Sequence, residues 1–277
     1  MASLLPSPSR TFDPALERHP LADSISRPRF RTVMVALAAV AIVIWGINGS
    51  EIDIALFIDG LPFFWRFLSG LFPPNPAVLG DLVDPVIETI QMSIVGTLLA
   101  VVFSLPFALL AARNIAPHPL VYQTMRVLLN INRSLPDLSI ALMFVAAVGL
   151  GPFPGTLAIA IGSIGFMGKL FAEAFEQINP RQVEAVRATG ANLTQTIRYA
   201  VIPQALPLIA SYALLLWEIN VRSATILGLV GAGGIGLELQ TSMRLFLYQD
   251  LAMIIIVIIL MVTVIDRVSA FLRARIT

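Results

Sequence analysis

The sequence predicts an all-α integral membrane protein with about six transmembrane helices, and three observations carry that prediction. Of its 277 residues, 57% are hydrophobic and only 13% are charged, with a mean hydropathy of +0.85. Soluble domains instead hold about 45–50% apolar and about 25% charged residues. The apolar residues gather into runs of about 20, the length that crosses a hydrocarbon core of about 30 Å. When those runs are threaded back and forth, the Lys and Arg residues fall mostly on one side, as the positive-inside bias requires. With no cysteine in the chain, disulfides, thiolate nucleophiles and Cys-ligated metals are excluded together. A net charge of +1 with scattered basic residues gives no stripe for nucleic acid.

In chain order, residues 1–31 carry five Arg and no apolar signal core, and are read as a cytoplasmic tail. Residues 32–80 hold the first span, at 32–48, and an outer segment at 56–72. That segment mixes Phe57, Phe63, Phe64, Trp65 and Phe67 with Asp59 and Arg66, which suits a helix lying in the interface. Further spans are expected at 86–112, 127–148, 155–171, 206–229 and 251–268 within a transmembrane domain over 81–272, and 273–277 forms a cytoplasmic C-terminus. The uncharged run 138–168 is too long for one crossing, and the breakers Gly149 to Gly155 split it into a helical hairpin. A second amphipathic piece is expected at 237–249. With both termini inside, all Lys and Arg except Arg66, Arg222 and Arg244 lie in cytoplasmic segments.

One long water-compatible stretch, 179–207, interrupts this oily chain between the fourth and fifth spans. Asn179 is a helix cap, Pro180 suits the first helical position, and Gln182 stands where a capping box wants Gln or Glu. Gly190 ends that helix in a conformation of positive φ. Asn192 and Gln195 repeat the cap for a second helix through Tyr199, with Pro203 and Pro207 leading into the next span. Taken alone this is a solvated loop of two capped helices.

Its register adds more. Glu184, Ala185, Gly190 and Pro203, with Val186, Ala200 and Ile202 as small or aliphatic departures, resemble the "EAA, x3, G, x9, I, x, L, P" loop of binding-protein-dependent ABC importer permeases. Arg187 to Asn192 (RATGAN) and Asn220 to Gly236 (NVRSATILGLVGAGGIG) resemble the phosphonate permease subfamily, which includes phosphite and hypophosphite permeases. The resemblance covers about residues 85–272 and implies a type I ABC importer permease fold. It also implies a coupling loop that docks on a cytoplasmic ATPase through Glu184, Ala185, Arg187, Gly190 and Pro203. The implied partners are a second copy of the chain, an ATPase dimer carrying ATP and Mg, and a periplasmic binding protein. The implied place is a bacterial inner membrane, and the implied cargo is phosphonate or a related reduced phosphorus oxyanion. Methionine or another small solute is the alternative cargo.

Other motifs are weighed against that expectation. Gly231, Gly233, Gly234 and Gly236 fit G-x-G-x-x-G, but a helix-length run precedes them and no acid follows about 20 residues on, which rejects a dinucleotide site. They are read as a tight turn forming the outer gate loop, with amides that help an oxyanion pass as the second reading. Glu218 and Arg222 stand i, i+4 and can pair. With Asn220, Ser223 and Thr225 they also place polar groups along the fifth span, where an anion would be received. Arg133 and Asp137 form another i, i+4 pair, with helix-end, packing and pathway roles all open, and Glu88 is expected to reach the interface. His19 and His118 stand alone, so no metal site is expected. The chain has no phosphate loop, HExxH or cysteine, so ATP hydrolysis and intramembrane catalysis are not expected of it. An ion-coupled secondary transporter remains the rival class.

Overall fold

In the computed structural model, which describes residues 30–276, every described element is helical. The expected tail lies outside the described residues up to residue 29, as does residue 277. Two compact units divide the chain, Met1–Phe63 and Phe64–Thr277. The first holds α1 (Phe30–Gly49), none of whose residues is buried, and the start of α2 (Ile54–Gly70). Asp53 caps α2 by accepting from the amides of Ala55 at 2.9 Å and Leu56 at 3.0 Å.

The second unit begins with the rest of α2 and a short 3-10 turn, then α3 (Val83–Ala111), α4 (Pro119–Ser134), α5 (Asp137–Val148) and α6 (Pro152–Glu176). Next come α7 (Pro180–Ala188), α8 (Leu193–Thr196), a π turn (Ile197–Val201), α9 (Ile202–Gly228), α10 (Gly234–Arg244) and α11 (Tyr248–Ile276). Five described helices are long and apolar enough to cross a membrane, and α4 with α5 makes a sixth if that bent pair is one span.

The unit is built on a seam of small residues. Gly96, Ala100 and Ala108 on α3 and Gly165, Gly168 and Ala172 on α6 are all buried. Lipid gives no hydrophobic push between spans, so close backbone approach and dispersion hold them together. At Gly96 an added Cβ would lie 2.6 Å from Ile159 Cγ2, and at Gly168 2.6 Å from Leu129 Cδ2. Leu129, Phe171, Phe175 and Val201 fill the core at one end of this seam. Val221, Ile235, Ile254 and Met261 join α9, α10 and α11 elsewhere.

Three expectations are corrected. Residues 127–148 are not one helix, because α4 and α5 meet at a 79° bend. Pro136 denies Leu135 the helical region, and Leu135 sits extended at ψ 126°. The bend also undoes the i, i+4 relation of Arg133 and Asp137. The second short helix does not stop at Tyr199 ahead of Pro203 and Pro207, since the chain runs helically from Leu193 to Gly228. A π turn absorbs the first proline, with the Ile202 amide donating to the Ile197 carbonyl five residues back. The amphipathic piece starts at Gly234 rather than 237, after Gly233 at φ +80°.

Candidate functional site

Residues 179–207 fold as a capped helix, a glycine turn and a second capped helix. Asn179 accepts from the Arg181 amide at 3.0 Å. Gln182 does not close the expected capping box. Instead Gln204 of α9 reaches back and accepts from the Asn179 amide at 2.9 Å, while its own amide donates to the Ala200 carbonyl. That bond ties the start of α7 to α9. Asn192 and Gln195 do form a reciprocal box, each bond 2.9 Å long. Gly190 has φ +85° and lies in open space. Glu184, Ala185, Arg187, Gly190 and Pro203 are all exposed. Behind α7 lies a cavity of about 260 Å³ lined by Asn114, Glu176, Glu184, Arg187, Leu193 and Val201.

Glu176, at the end of α6, braces that cavity. It accepts from Arg126 at 3.0 Å and from the Arg113 amide at 2.8 Å, while Asn114 donates to the Phe175 carbonyl. The ends of α3 and α6 and the middle of α4 are therefore stitched together beside α7. Sequence reasoning missed this brace, because no local spacing connects Arg126 with a carboxylate fifty residues on.

The polar residues of the fifth span divide into two groups. Asn220 is 3% exposed and bridges three helices, accepting from Ser163 of α6 and donating to Thr97 of α3 at 2.9 Å. Thr97 donates in turn to the Ser93 carbonyl, and Trp217 donates to the Ser93 hydroxyl. Thr225 is buried and bonds within its own helix. Glu218 and Arg222 do pair, at 2.9 Å, within a larger set: Arg222 also meets Asp266 and Glu218 also meets Arg273. Two cations and two carboxylates thus balance. Ser223 hydrogen-bonds the Asp137 carboxylate, which lies against Gly162 of α6.

Gly231 to Gly236 are all buried. Gly231, Gly233 and Gly234 take positive φ, the Gly231 carbonyl accepts from the Gly151 amide, and Thr89 accepts from the Ile235 amide at 2.8 Å. Gly236 packs against the backbone of Gly228 and Thr225, with no room for a Cβ. Glu88, expected at the interface, is half-buried and its carboxylate lies where a Cβ on Gly233 would be. The glycine cluster therefore joins α3, the turn before α6, α9 and α10. Among the described residues, no group of His, Asp or Glu could hold a metal.

Residues 104–277 match the family described as binding-protein-dependent transport system inner membrane component. The chain is 45% identical over 241 residues to the phosphite transport system permease protein of Stutzerimonas stutzeri, covering 87% of each. It is 41% identical to the phosphate-import permease protein of Mycolicibacterium smegmatis, covering 95% of this chain and 49% of that one, so it spans about half of that relative. An inward-facing structure of the MetNI methionine ABC transporter superposes with TM-score 0.66 at 24% identity, over 73% of this chain and 99% of that chain. That likeness establishes a type I ABC importer permease fold.

Proposed function

Because this chain belongs to the family of binding-protein-dependent transport system inner membrane components, we propose that it is the permease subunit of an ATP-driven importer of phosphonate or a related phosphorus oxyanion. The observation that carries the reading is the capped α7, Gly190 and α8 hairpin, exposed and with Glu184, Ala185, Gly190 and Pro203 in coupling-loop register. Supporting the cargo class is 45% identity to a phosphite permease.

In this reading the hairpin faces the cytoplasm and docks on an ATPase dimer that holds ATP and Mg. The chain itself hydrolyses nothing and binds no cofactor. Two copies stand side by side, with both termini inside, and a periplasmic binding protein delivers cargo to the outer mouth. ATP-driven closure of the ATPases moves α7 and, through the Gln204 and Glu176 bonds, the adjoining parts of α3, α4, α6 and α9. Asn220, Thr225 and Ser223 hold the fifth span in register, Glu218 and Arg222 line the path, and Gly231, Gly233, Gly234 and Gly236 form the close-packed hinge of the outer gate.

Proteoliposomes holding the whole complex test this directly. Uptake of phosphite should require enclosed ATP and the loaded binding protein. Uptake driven by an ion gradient without ATP would favour a secondary transporter, and uptake of methionine in place of phosphite would favour the alternative cargo.

A further inference from the structure

Charged groups inside a span are costly and ordinarily find a partner or a water path. The quartet of Glu218, Arg222, Asp266 and Arg273 neutralises itself. Arg133 and Lys169 do not. Arg133, on the last turn of α4, is exposed and lies 5.6 Å over the Phe166 ring of α6. Lys169, one turn further along α6, donates to the neutral amide of Asn130 at 2.6 Å. Neither forms an ion pair among the described residues.

Carboxylates are within sequence reach of both, and neither cation uses them. Asp137 is turned away across the bend to Ser223 and Gly162. Glu173, at i+4 from Lys169, is not its partner, because the lysine extends instead toward α4. Lys169 lies well inside α6, and Arg133 ends α4 at the bend into α5. Arg133 is seven residues beyond Arg126, and Lys169 seven residues before Glu176, so each stands about 10 Å along its helix from that ion pair at 1.5 Å per residue. Phe166 and Lys169 are three apart on α6, and such neighbours stand about 5–6 Å from one another. The two cations thus form one small electropositive patch beside the 79° bend.

We propose that Arg133 and Lys169 are the transient counter-ions of the anionic cargo on its way through the permease, a specificity-determining pair distinct from Arg222. The assignment rests on the importer reading above. A guanidinium fork suits two oxygens of a phosphorus oxyanion, and the lysine adds a point charge to a third. Phe166 and Asn130 compete for the same cations, which keeps the grip weak enough for release.

The test uses the complete complex in proteoliposomes with the binding protein loaded with phosphite, methylphosphonate or phosphate. Uptake of anion and hydrolysis of ATP are read separately. Replacing one charge-assisted contact predicts uptake about tenfold lower in Arg133→Gln and in Lys169→Gln, with Arg133→Glu lower still and Arg133→Lys within about threefold of the unaltered protein. ATP hydrolysis stays stimulated by the loaded binding protein throughout. Unaltered uptake in the Gln double variant overturns the proposal, as does equal uptake by the Gln and Glu variants of Arg133. Loss of ATPase stimulation along with uptake in Arg133→Gln assigns the residue to structure and also overturns it. Failure of the unaltered complex to take up any of the three anions is a different result and removes the importer reading itself.

Discussion

Asn220 shows how one residue type can be read two ways from sequence. Its amide was an expected cargo contact, but in the fold it bolts α9 to α3 and α6 through Thr97 and Ser163. Interhelical hydrogen bonds in membranes average about 0.6 and reach about 1.7 kcal/mol. Asn220→Leu removes two of them and takes the acceptor from the buried Ser163 hydroxyl, so its thermal midpoint in detergent should fall by the equivalent of about 1 kcal/mol or more. An unchanged midpoint would return Asn220 to the pathway. Gly236 makes a sharper case, because any Cβ there meets the Thr225 carbonyl. Gly236→Val should leave little folded protein by size-exclusion chromatography, whereas Gly80→Ala, with nothing within 4 Å of the new Cβ, should be recovered normally.

At the scale of elements, local chemistry was legible wherever the partners lie within a few residues. The Asn192 and Gln195 box and the positive φ of Gly190 follow from such short spacings. The Asn179 cap was legible too, but its amide partner was not, since Gln204 arrives from another helix. The break at Pro136 falls inside residues 127–148, which are long enough to be read as one span, and the continuity through Pro203 depends on a π turn that no spacing announces. Gly190→Val forces a left-handed conformation costing about 1–2 kcal/mol on a β-branched residue. It should weaken ATPase association in a pull-down while leaving the protein in the membrane, and unchanged association would count against α7 and α8 as the docking element. Gln204→Ala frees the Asn179 amide and should lower ATPase stimulation with association preserved, if that bond transmits α7 movement. Equal stimulation would show that α7 moves without it.

For the whole molecule, composition and run length were enough to establish an all-α membrane protein, because those quantities need no knowledge of which helices touch. Which charges pair was not legible, since pairing is decided across helices. Glu218 meets Arg273 on α11 as well as its own neighbour Arg222, and Asp137 abandons Arg133 for Ser223. Family membership reached further than geometry toward cargo, through the coupling-loop register and the residues from Asn220 to Gly236. The central claim is that this bundle couples ATP hydrolysis to import of a phosphorus oxyanion. It is tested most directly by ATP hydrolysis of the reconstituted complex as binding protein loaded with phosphite, methylphosphonate, phosphate or methionine is added. The account predicts stimulation by at least one phosphorus anion and none by methionine; stimulation by methionine alone would contradict it.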